Sequence, residues 1–446
     1  MEATLSTSST TDLGALPRPF YFLIPFWGQR YREHFTDRCL ASLLSPGNFP
    51  CLRAADGHRL LIATTREDWQ AIQGLPLIER AREHVTLQLI EIPTPVPAPP
   101  GSPAVITEQN KCQTLLIEAA YRDRVFGSML WPDIIVSDGM VAALVRHAQN
   151  GRHLVLCTAL RQTEEGVIAE LTERGLLESV PSSRTGRPLI LSPKYVADLA
   201  IRHLHSEVMV YEDLYRRHPF DLRRPFLPTY LFWRNAERQG LILHTFLFQP
   251  LLMDFAAIER HDTECLQHDL FENVYISRNF SKRDRIHVVQ DSDEMGIVSL
   301  TPAEIGAQPA LQARPSRSEL VRQWTIRIAM GFHCRRTHDA LKRDLFRLPV
   351  RWHVDELDDA WTLHERKIQK SLERAIGDYY SICAVKGLDK FPSPLGTSPV
   401  YWPADVIVMY HSAPRHAPFK RALHLVATLV RWVNWFIRLA PGLRKR

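Results

Sequence analysis

Short apolar runs alternate with amphipathic segments along the first third of the chain. The run FYFLIP, from Phe20 to Pro25, is continuously apolar and ends at a proline, which is typical of a strand buried on both faces. From Tyr31 to Leu44 the apolar residues fall at helical spacing, and the sequence SPGN then ends the helix. This pattern predicts a strand that is followed by a helix.

The same alternation continues along the chain. Strands are predicted from Arg59 to Thr64 and from Val85 to Ile92, and Thr65 is placed to cap a helix between them. The segment from Pro93 to Pro103 is too rich in proline for regular structure. A helix is then predicted from Lys111 to Arg124.

Two further strands are predicted, from Ile134 to Val136, just before Ser-Asp-Gly, and from Arg152 to Leu160. Strands that alternate with helices predict an α/β fold, with a mainly parallel sheet and right-handed crossovers. In such a fold the binding site lies at the carboxyl ends of the strands. Candidate chemistry is therefore expected where these strands end.

The back half has a weaker pattern. Helices are predicted from Pro193 to Tyr215, from Ser318 to Leu345 and from Leu357 to Tyr380, and a short strand from Ile286 to Val289. The segment from Leu241 to Phe255 is apolar and aromatic. The predicted organisation is a disordered leader (1–18), an α/β domain (19–305), a linker (306–318), a mostly helical C-terminal region (319–420) and a basic amphipathic helix (421–446).

Composition narrows the class of protein. With 446 residues, of which 45% are hydrophobic and 23% charged, the chain has ordinary globular usage. The 7 cysteines show no CxxC spacing, so neither a disulfide framework nor a zinc site is indicated, and a reducing compartment fits best. The net charge of +6 does not favour nucleic acid as a partner. The Ser/Thr-rich start lacks the features of a secretory signal.

Four features together resemble a known enzyme plan. The strand FYFLIP with PFWG after it, the second-strand exit ATTRED, the helix opened by Lys111 and the strand-end SDG resemble GT-A type, nucleotide-sugar-dependent glycosyltransferases. The resemblance covers Phe20 to about Leu160. It implies a GT-A-like α/β domain that binds a nucleoside-diphosphate sugar at these strand ends. The implied donor-binding residues are Pro25, Thr65, Arg66, Asp68, Lys111, Ser137, Asp138 and Gly139.

Acidic residues are the implied metal ligands. In this family the strand-end motif is usually Asp-X-Asp, which binds a divalent metal and the donor, whereas here Asp138 stands with Asp133 five positions upstream. A second acidic cluster, Asp291, Asp293 and Glu294, could supply further carboxylates for Mn or Mg. The alternatives are an Asx turn at Asp138 and a solvated turn at the second cluster.

Two adjacent glutamates are candidates for the catalytic base. Glu164 and Glu165 follow the strand after SDG, where a GT-A enzyme faces its acceptor and an inverting reaction needs a carboxylate. The alternative is that Thr163 caps a helix and the glutamates form its acidic first turn. His244 and Asp254 lie on an apolar segment, which is more typical of hydrogen-bonded core residues than of metal ligands.

The segment from Arg421 to Arg446 is almost entirely apolar or basic. Trp432 and Trp435 favour a membrane interface, and Arg431 and Arg438 lie between the apolar residues. An arginine at the bilayer centre costs about 2.5 to 3.5 kcal/mol, so a helix on an anionic membrane surface is predicted rather than a spanning one. The alternative is a terminal helix docked on the protein core.

The predicted function is that of a cytoplasmic, hexosyltransferase-type glycosyltransferase at the inner membrane face. It would move a sugar from a nucleotide-sugar donor to a glycan or lipid-linked acceptor. One alternative is a catalytically inactive GT-A-like protein that acts as a membrane-associated binding or scaffold protein. Another is a different doubly wound α/β enzyme, although no GxGxxG, P-loop or GxSxG string is present.

Overall fold

The computed structural model describes residues 16–98, 103–209, 211–212, 230–235, 239–267, 271–280, 282–305, 340–369 and 372. These residues belong to two compact units. The first unit contains the described residues up to 212, 232–305 and 348–357, and the second contains the others. The predicted linker and the basic terminal segment lie outside the described residues, as do residues 1–15 of the leader.

The strands are β1 (Phe20–Pro25), β2 (Arg59–Thr64), β3 (Thr86–Glu91), β4 (Phe126–Met129), β5 (Ile134–Val136), β6 (Leu154–Cys157), β7 (Leu160–Thr163), β8 (Tyr230–Asn235), β9 (Gly240–Thr245), β10 (Gln249–Asp254), β11 (Ile286–Val288), β12 (Ile297–Thr301) and β13 (Val350–His353).

The helices are α1 (Gln29–His34), α2 (Leu40–Leu43), α3 (Arg66–Ile72), α4 (Pro76–Arg82), α5 (Pro103–Arg122), α6 (Met140–Gln149), α7 (Glu164–Glu173), α8 (Ser182–Thr185), α9 (Pro193–Arg202), α10 (Ser206–Met209), α11 (Phe271–Asn279) and α12 (Ala340–Phe346). A π-helical segment, Phe35–Cys39, joins α1 to α2. The chain is also helical from 359 to 369.

In the described part of the chain, the largest sheet has seven strands in the order β11-β6-β10-β4-β1-β2-β3. β1 pairs in parallel with β2 and β4, and β2 pairs in parallel with β3. β10 is antiparallel to both β4 and β6, and β6 is parallel to β11, so every strand but β10 points the same way. The predicted α/β class, with a mainly parallel sheet and flanking helices, is confirmed.

Several predicted elements are confirmed at their boundaries. β1, β2 and β5 begin and end where the apolar runs do. Thr65 caps α3, and its Oγ1 accepts a hydrogen bond from the Asp68 backbone N–H at 3.1 Å. The helix predicted from Lys111 begins earlier, at Pro103. A proline is suited to the first turn of a helix because its missing N–H would have no partner there.

The fourth strand of the main sheet differs from the prediction. The strand beside β1 is β4, whereas Ile134–Val136 pairs antiparallel with β12 in a separate three-stranded sheet of order β5-β12-β7. Gly127 and Ser128 interrupt the apolar pattern of β4, which hides it in the sequence. The glycine is needed because a Cβ at Gly127 would lie 2.3 Å from Cε2 of Phe255.

Two apolar segments change sheet along their length. Within the predicted strand from Arg152 to Leu160, Leu154–Cys157 forms β6 in the main sheet, and the last residue, Leu160, already begins β7 in the small sheet. The segment from Leu241 to Phe255 likewise supplies β9 and β10. The helix predicted from Pro193 ends at Arg202. Apolar periodicity marks burial in each case, but pairing partners decide where a strand ends.

A second three-stranded sheet has the order β13-β9-β8. β13 pairs antiparallel with β9, so the chain returns to the first unit at 348–357 after α12 in the second unit. Within the described residues, no helix is both long enough and apolar enough to cross a membrane.

Candidate functional site

The carboxyl ends of β1 and β4 lie side by side, and the segments that follow them carry polar side chains. α1 begins four residues after β1 and carries Tyr31 and His34, while Asp133 lies four residues after β4. Arg161 on β7 and Glu164 at the start of α7 complete the group. We refer to Tyr31, His34, Asp133, Arg161 and Glu164 as the edge cluster.

Glu164 is the most connected member of the edge cluster. Its Oε1 lies 3.2 Å from Nε2 of His34, and its Oε2 accepts a hydrogen bond from Nη2 of Arg30 at 2.5 Å. Burial would raise the pKa of Glu164, but the hydrogen bond and charge of His34, with the charge of Arg30, lower it below its usual range. Glu164 is therefore an ionised carboxylate at neutral pH.

Asp133 has the opposite electrostatic environment. Burial raises the pKa of its carboxyl above the usual range, and the charges of His34 and Arg161 oppose this only in part. Burial and the charge of Asp133 also raise the pKa of Tyr31. The Asp133 backbone C=O accepts a hydrogen bond from the Leu300 N–H at 2.8 Å, which fixes this segment beside β12. Asp133 is a carboxyl group that an added positive charge would stabilise.

The imidazole of His34 is 3% exposed. Its Nε2 faces Glu164, while its Nδ1 is buried and has no hydrogen-bond partner among the described residues. A buried polar atom without a partner is costly and requires an explanation. Together with the raised pKa of Asp133, this atom makes the edge cluster a candidate functional site.

Asp68 anchors the loop between β1 and α1. One carboxylate oxygen accepts hydrogen bonds from the Gly28 N–H at 2.8 Å and from the Thr65 hydroxyl at 2.9 Å. The other accepts from Nη1 of Arg32 at 2.8 Å. Gly28 has a φ of 80°, a conformation that favours glycine. Asp68 therefore holds the backbone that positions α1 and its edge-cluster residues.

Of the remaining predicted donor-binding residues, Pro25 and Arg66 lie at the carboxyl ends of β1 and β2, whereas Lys111 lies in the middle of a helix. Pro25 is the last residue of β1. Arg66 forms an exposed ion pair with Glu91 at the end of β3. Lys111 lies within α5 and pairs with Glu108 of the same helix at 2.7 Å.

The Ser137-Asp138-Gly139 segment is hydrogen-bonded to three other segments of the chain. Oδ1 of Asp138 accepts a hydrogen bond from the Gly47 N–H at 2.6 Å, and the Asp138 N–H donates to the Leu191 C=O at 2.7 Å. Oγ of Ser137 accepts from the Gly296 N–H at 3.0 Å. Gly139, with a φ of 83°, precedes α6. In the described structure, these contacts are with residues outside the edge cluster.

The carboxylates of the second acidic cluster contact different histidines. Asp291 Oδ1 lies 2.9 Å from Nε2 of His353, and this hydrogen bond lowers the pKa of Asp291. Asp293 is exposed. Glu294 contacts His147 and His287. Among the described contacts, none joins these carboxylates to Asp138.

Three other candidates have local partners. Glu165 is exposed, and its Oε2 accepts a hydrogen bond from the Ala303 N–H at 3.1 Å, so of the two glutamates only Glu164 lies in the edge cluster. His244 on β9 is buried. Asp254 at the end of β10 pairs with Arg18 at 2.8 Å. The last two positions agree with the interpretation as core residues.

Sequence reasoning did not select Tyr31 and His34. The available signal was their spacing of three residues on the helix after β1, which places two polar rings on one helical face. In the sequence, Asp133 is simply an acid five positions upstream of Asp138. It lies at the edge cluster because β4, and not β5, is the strand that pairs with β1 in the main sheet.

No protein-family model matches this chain, and no curated protein matches it. Solved structures similar to it include a glucose-1-phosphate thymidylyltransferase from Bacillus anthracis in complex with a sucrose, with 10% identity, a TM-score of 0.20 and coverage of 33% of this chain and 57% of that one. S. aureus TarS has 8% identity and a TM-score of 0.30, and the alignment covers 92% of this chain and 53% of that one. The apo form of mouse xyloside xylosyltransferase 1 has 11% identity and a TM-score of 0.21, and the alignment covers 36% of this chain and 59% of that one. Each alignment thus spans little more than half of the solved chain.

Proposed function

We propose that this chain is a GT-A type glycosyltransferase that moves a sugar from a nucleoside-diphosphate donor to a hydroxyl group of a glycan or lipid-linked acceptor. The observation that carries the proposal is the convergence of His34, Asp133 and Glu164 at the carboxyl ends of the adjacent parallel strands β1 and β4. Ligands of open α/β sheets bind at this edge.

The charges around the edge cluster suit a leaving diphosphate. Arg161, Arg30 and His34 supply positively charged or hydrogen-bonding groups beside the two carboxylates. Donors that are already in place stabilise the negative charge that develops on the leaving group, without reorganisation during the reaction. The Nδ1–H of His34, which has no partner among the described residues, would donate a hydrogen bond to an oxygen of the diphosphate.

A divalent cation, Mg²⁺ or Mn²⁺, fits this site at Asp133. The fit rests on the chemistry of the carboxyl group: it is an oxygen ligand, and because burial raises its pKa, a bound cation would favour its ionised form. When bound, the cation would neutralise the donor's diphosphate. Asp138, Asp291 and Asp293 were the ligands expected from the sequence. The contacts of Asp138 and Asp291 with Gly47 and His353 favour Asp133 for this role.

Glu164 is the candidate residue for binding the hydroxyl group of the acceptor. His34 and Arg30 keep its carboxylate ionised, so it would accept a hydrogen bond from the attacking hydroxyl and orient it toward the donor. Asp68 and Thr65 would act together as positioning residues, because their hydrogen bonds hold the Gly28 backbone from which α1 starts.

The experiment that tests this proposal compares two conservative variants. Asp133→Asn should lower kcat/KM for nucleotide-sugar turnover by about 100-fold or more. Asp138→Asn keeps an oxygen that can accept from Gly47, so it should retain both donor binding and turnover. Donor binding is measured by thermal shift with nucleoside diphosphates and nucleotide sugars, with and without Mg²⁺ or Mn²⁺.

The outcomes separate the alternatives. Full activity of Asp133→Asn together with an inactive Asp138→Asn would move the donor site to the end of β5. Donor binding by the wild-type chain without turnover on any acceptor would favour the inactive binding or scaffold protein. A chain that binds no nucleoside diphosphate at all would contradict the proposed function.

The proposed location is the cytoplasmic, inner face of a membrane. It rests on the basic and aromatic composition of residues 421–446, which suits an anionic membrane surface. A lipid-linked acceptor would then lie in the same plane as the enzyme.

A further inference from the structure

A second group of ligand-type side chains lies on different elements of the first unit. His147 is in the last turn of α6, His287 is on the edge strand β11, and Glu294 is in the loop that follows β11. We refer to these three residues as the His-His-Glu group. The group joins a helix that packs on the main sheet to the outermost strand of that sheet.

Both imidazoles face the same carboxylate. Nε2 of His147 lies 2.6 Å from Oε1 of Glu294, and Nε2 of His287 lies 3.0 Å from Oε1 and 3.1 Å from Oε2. The ligand atoms of all three residues lie within 4.8 Å of one another. The side chains are 17%, 26% and 26% exposed, so the group is partly buried and open to solvent on one side.

The composition of the group matches a transition-metal site. Two imidazole nitrogens and one carboxylate are a ligand set of zinc sites that keep one position for water. Tetrahedral bonds of about 2.0 to 2.2 Å would separate the ligand atoms by about 3.3 Å. The distances from Oε1 of Glu294 to the Nε2 atoms of the two histidines, 2.6 and 3.0 Å, would have to increase by less than about 1 Å to reach this value.

The arrangement of the rings also favours a cation. The two imidazole rings have centroids 4.1 Å apart. Both rings present Nε2 to the same carboxylate oxygen of Glu294, so one cation placed there would be within reach of both nitrogens. A single divalent ion between them would be compensated in part by the carboxylate of Glu294.

A neighbouring group provides a contrast. Asp291, Asp293 and His353 also lie within 4.8 Å of one another. However, this group offers one imidazole instead of two, and one of its two carboxylates, Asp293, is exposed. The His-His-Glu group is therefore the better ligand set.

We infer that His147, His287 and Glu294 bind one divalent transition-metal ion of the zinc class, with one coordination position left to water. The ion would fix the end of α6 to β11 and to the loop after it. This inference does not depend on the proposed function, because the edge cluster uses none of these residues.

The test uses the full chain after treatment with a chelator. Titration calorimetry with Zn²⁺ should give one site, and Co²⁺ should produce the visible absorption of a four-coordinate complex. Replacing a ligand typically weakens metal binding, so His147→Gln and His287→Gln should each lower the Zn²⁺ affinity by about tenfold or more. The double variant should lose the Co²⁺ absorption.

The matched control is Asp293→Asn, which changes an exposed carboxylate of the neighbouring group and should leave the Zn²⁺ affinity unchanged. A thermal-unfolding scan of each variant without metal establishes that it is folded. If a folded His147→Gln, His287→Gln double variant binds Zn²⁺ as tightly as the wild type, or if the wild type binds no Zn²⁺ or Co²⁺, the inference is wrong. If Asp293→Asn loses as much Zn²⁺ affinity as the histidine variants, the ion belongs to the neighbouring group, and the inference is also wrong.

Discussion

Glu170 on α7 is a buried carboxylate surrounded by donors. It pairs with Arg202 and accepts hydrogen bonds from His203 at 2.8 Å and from the Tyr195 hydroxyl at 3.1 Å. Burial would raise the pKa of Glu170, but the hydrogen bonds from Arg202 and His203 outweigh it and lower the pKa to about 2, from 4.5. This stabilisation is complete above the unfolded-state pKa and is lost as the pH falls from about 4.5 to about 2.

Glu170→Gln should therefore lower the free energy of unfolding by about 2 to 3 kcal/mol at pH 7. The difference from the wild type should shrink steadily below pH 4.5. Urea denaturation at pH 7 and pH 3 measures both effects. Glu173→Gln, on the exposed part of the same helix, is the control and should cost less than about 0.5 kcal/mol. A pH-independent difference between wild type and Glu170→Gln would contradict this account.

Asp68 gives a second prediction for a single residue. Asp68→Ala leaves the Gly28 N–H without its partner, removes the ion pair with Arg32, and should lower the free energy of unfolding by about 2 to 4 kcal/mol. Arg66→Ala, which removes an exposed ion pair, should cost less than about 1 kcal/mol. Chemical denaturation measures the free energy of unfolding of both variants. Equal decreases in the two would contradict the proposed role of Asp68.

At the level of elements, the loop after α2 is packed closely against the start of α6. A Cβ at Gly47 would lie 2.7 Å from both the Cα and the N of Gly139, and these are backbone atoms that cannot easily move. Gly47→Ala should therefore destabilise the fold by about 1 to 3 kcal/mol. Gly74→Ala has nothing within 4 Å of the new Cβ and should be neutral or slightly stabilising. Thermal unfolding of the pair is the measurement, and an unchanged Tm of Gly47→Ala would show that the loop moves freely.

At the scale of the whole molecule, the terminal segment is predicted to set where the protein works. Reversing Arg431 and Arg438 to glutamate should weaken sedimentation with anionic vesicles, because each basic residue contributes about 1 kcal/mol near such a surface. The control reverses Arg366 and Lys367, which are exposed on the helical stretch 359–369, and makes the same change in net charge. Equal losses in the two double variants would indicate a general charge effect and contradict the surface-helix prediction.

Local patterns were sufficient for much of the fold. β1 and β2 are apolar runs bounded by proline or a capping threonine, and the hydrogen bond from the Asp68 N–H to Thr65 lies within one turn of helix. Such features depend on neighbours in sequence, so a single sequence reveals them. β4 escaped prediction because Gly127 faces the Phe255 ring, a contact between residues far apart in the chain.

The sequence by itself determined the α/β class, and it predicted a site at the carboxyl edge of the sheet with Glu164 or Glu165 among its carboxylates. Tertiary structure decided the rest: Asp133 rather than Asp138 joins His34 because β4 pairs with β1, while β5 leaves for another sheet. In the same way, the carboxylate of Glu294 meets two histidines only because β11 pairs with β6. Side-chain proximity at a site is set by strand pairing between distant segments, and the spacing of residues along one chain does not specify it.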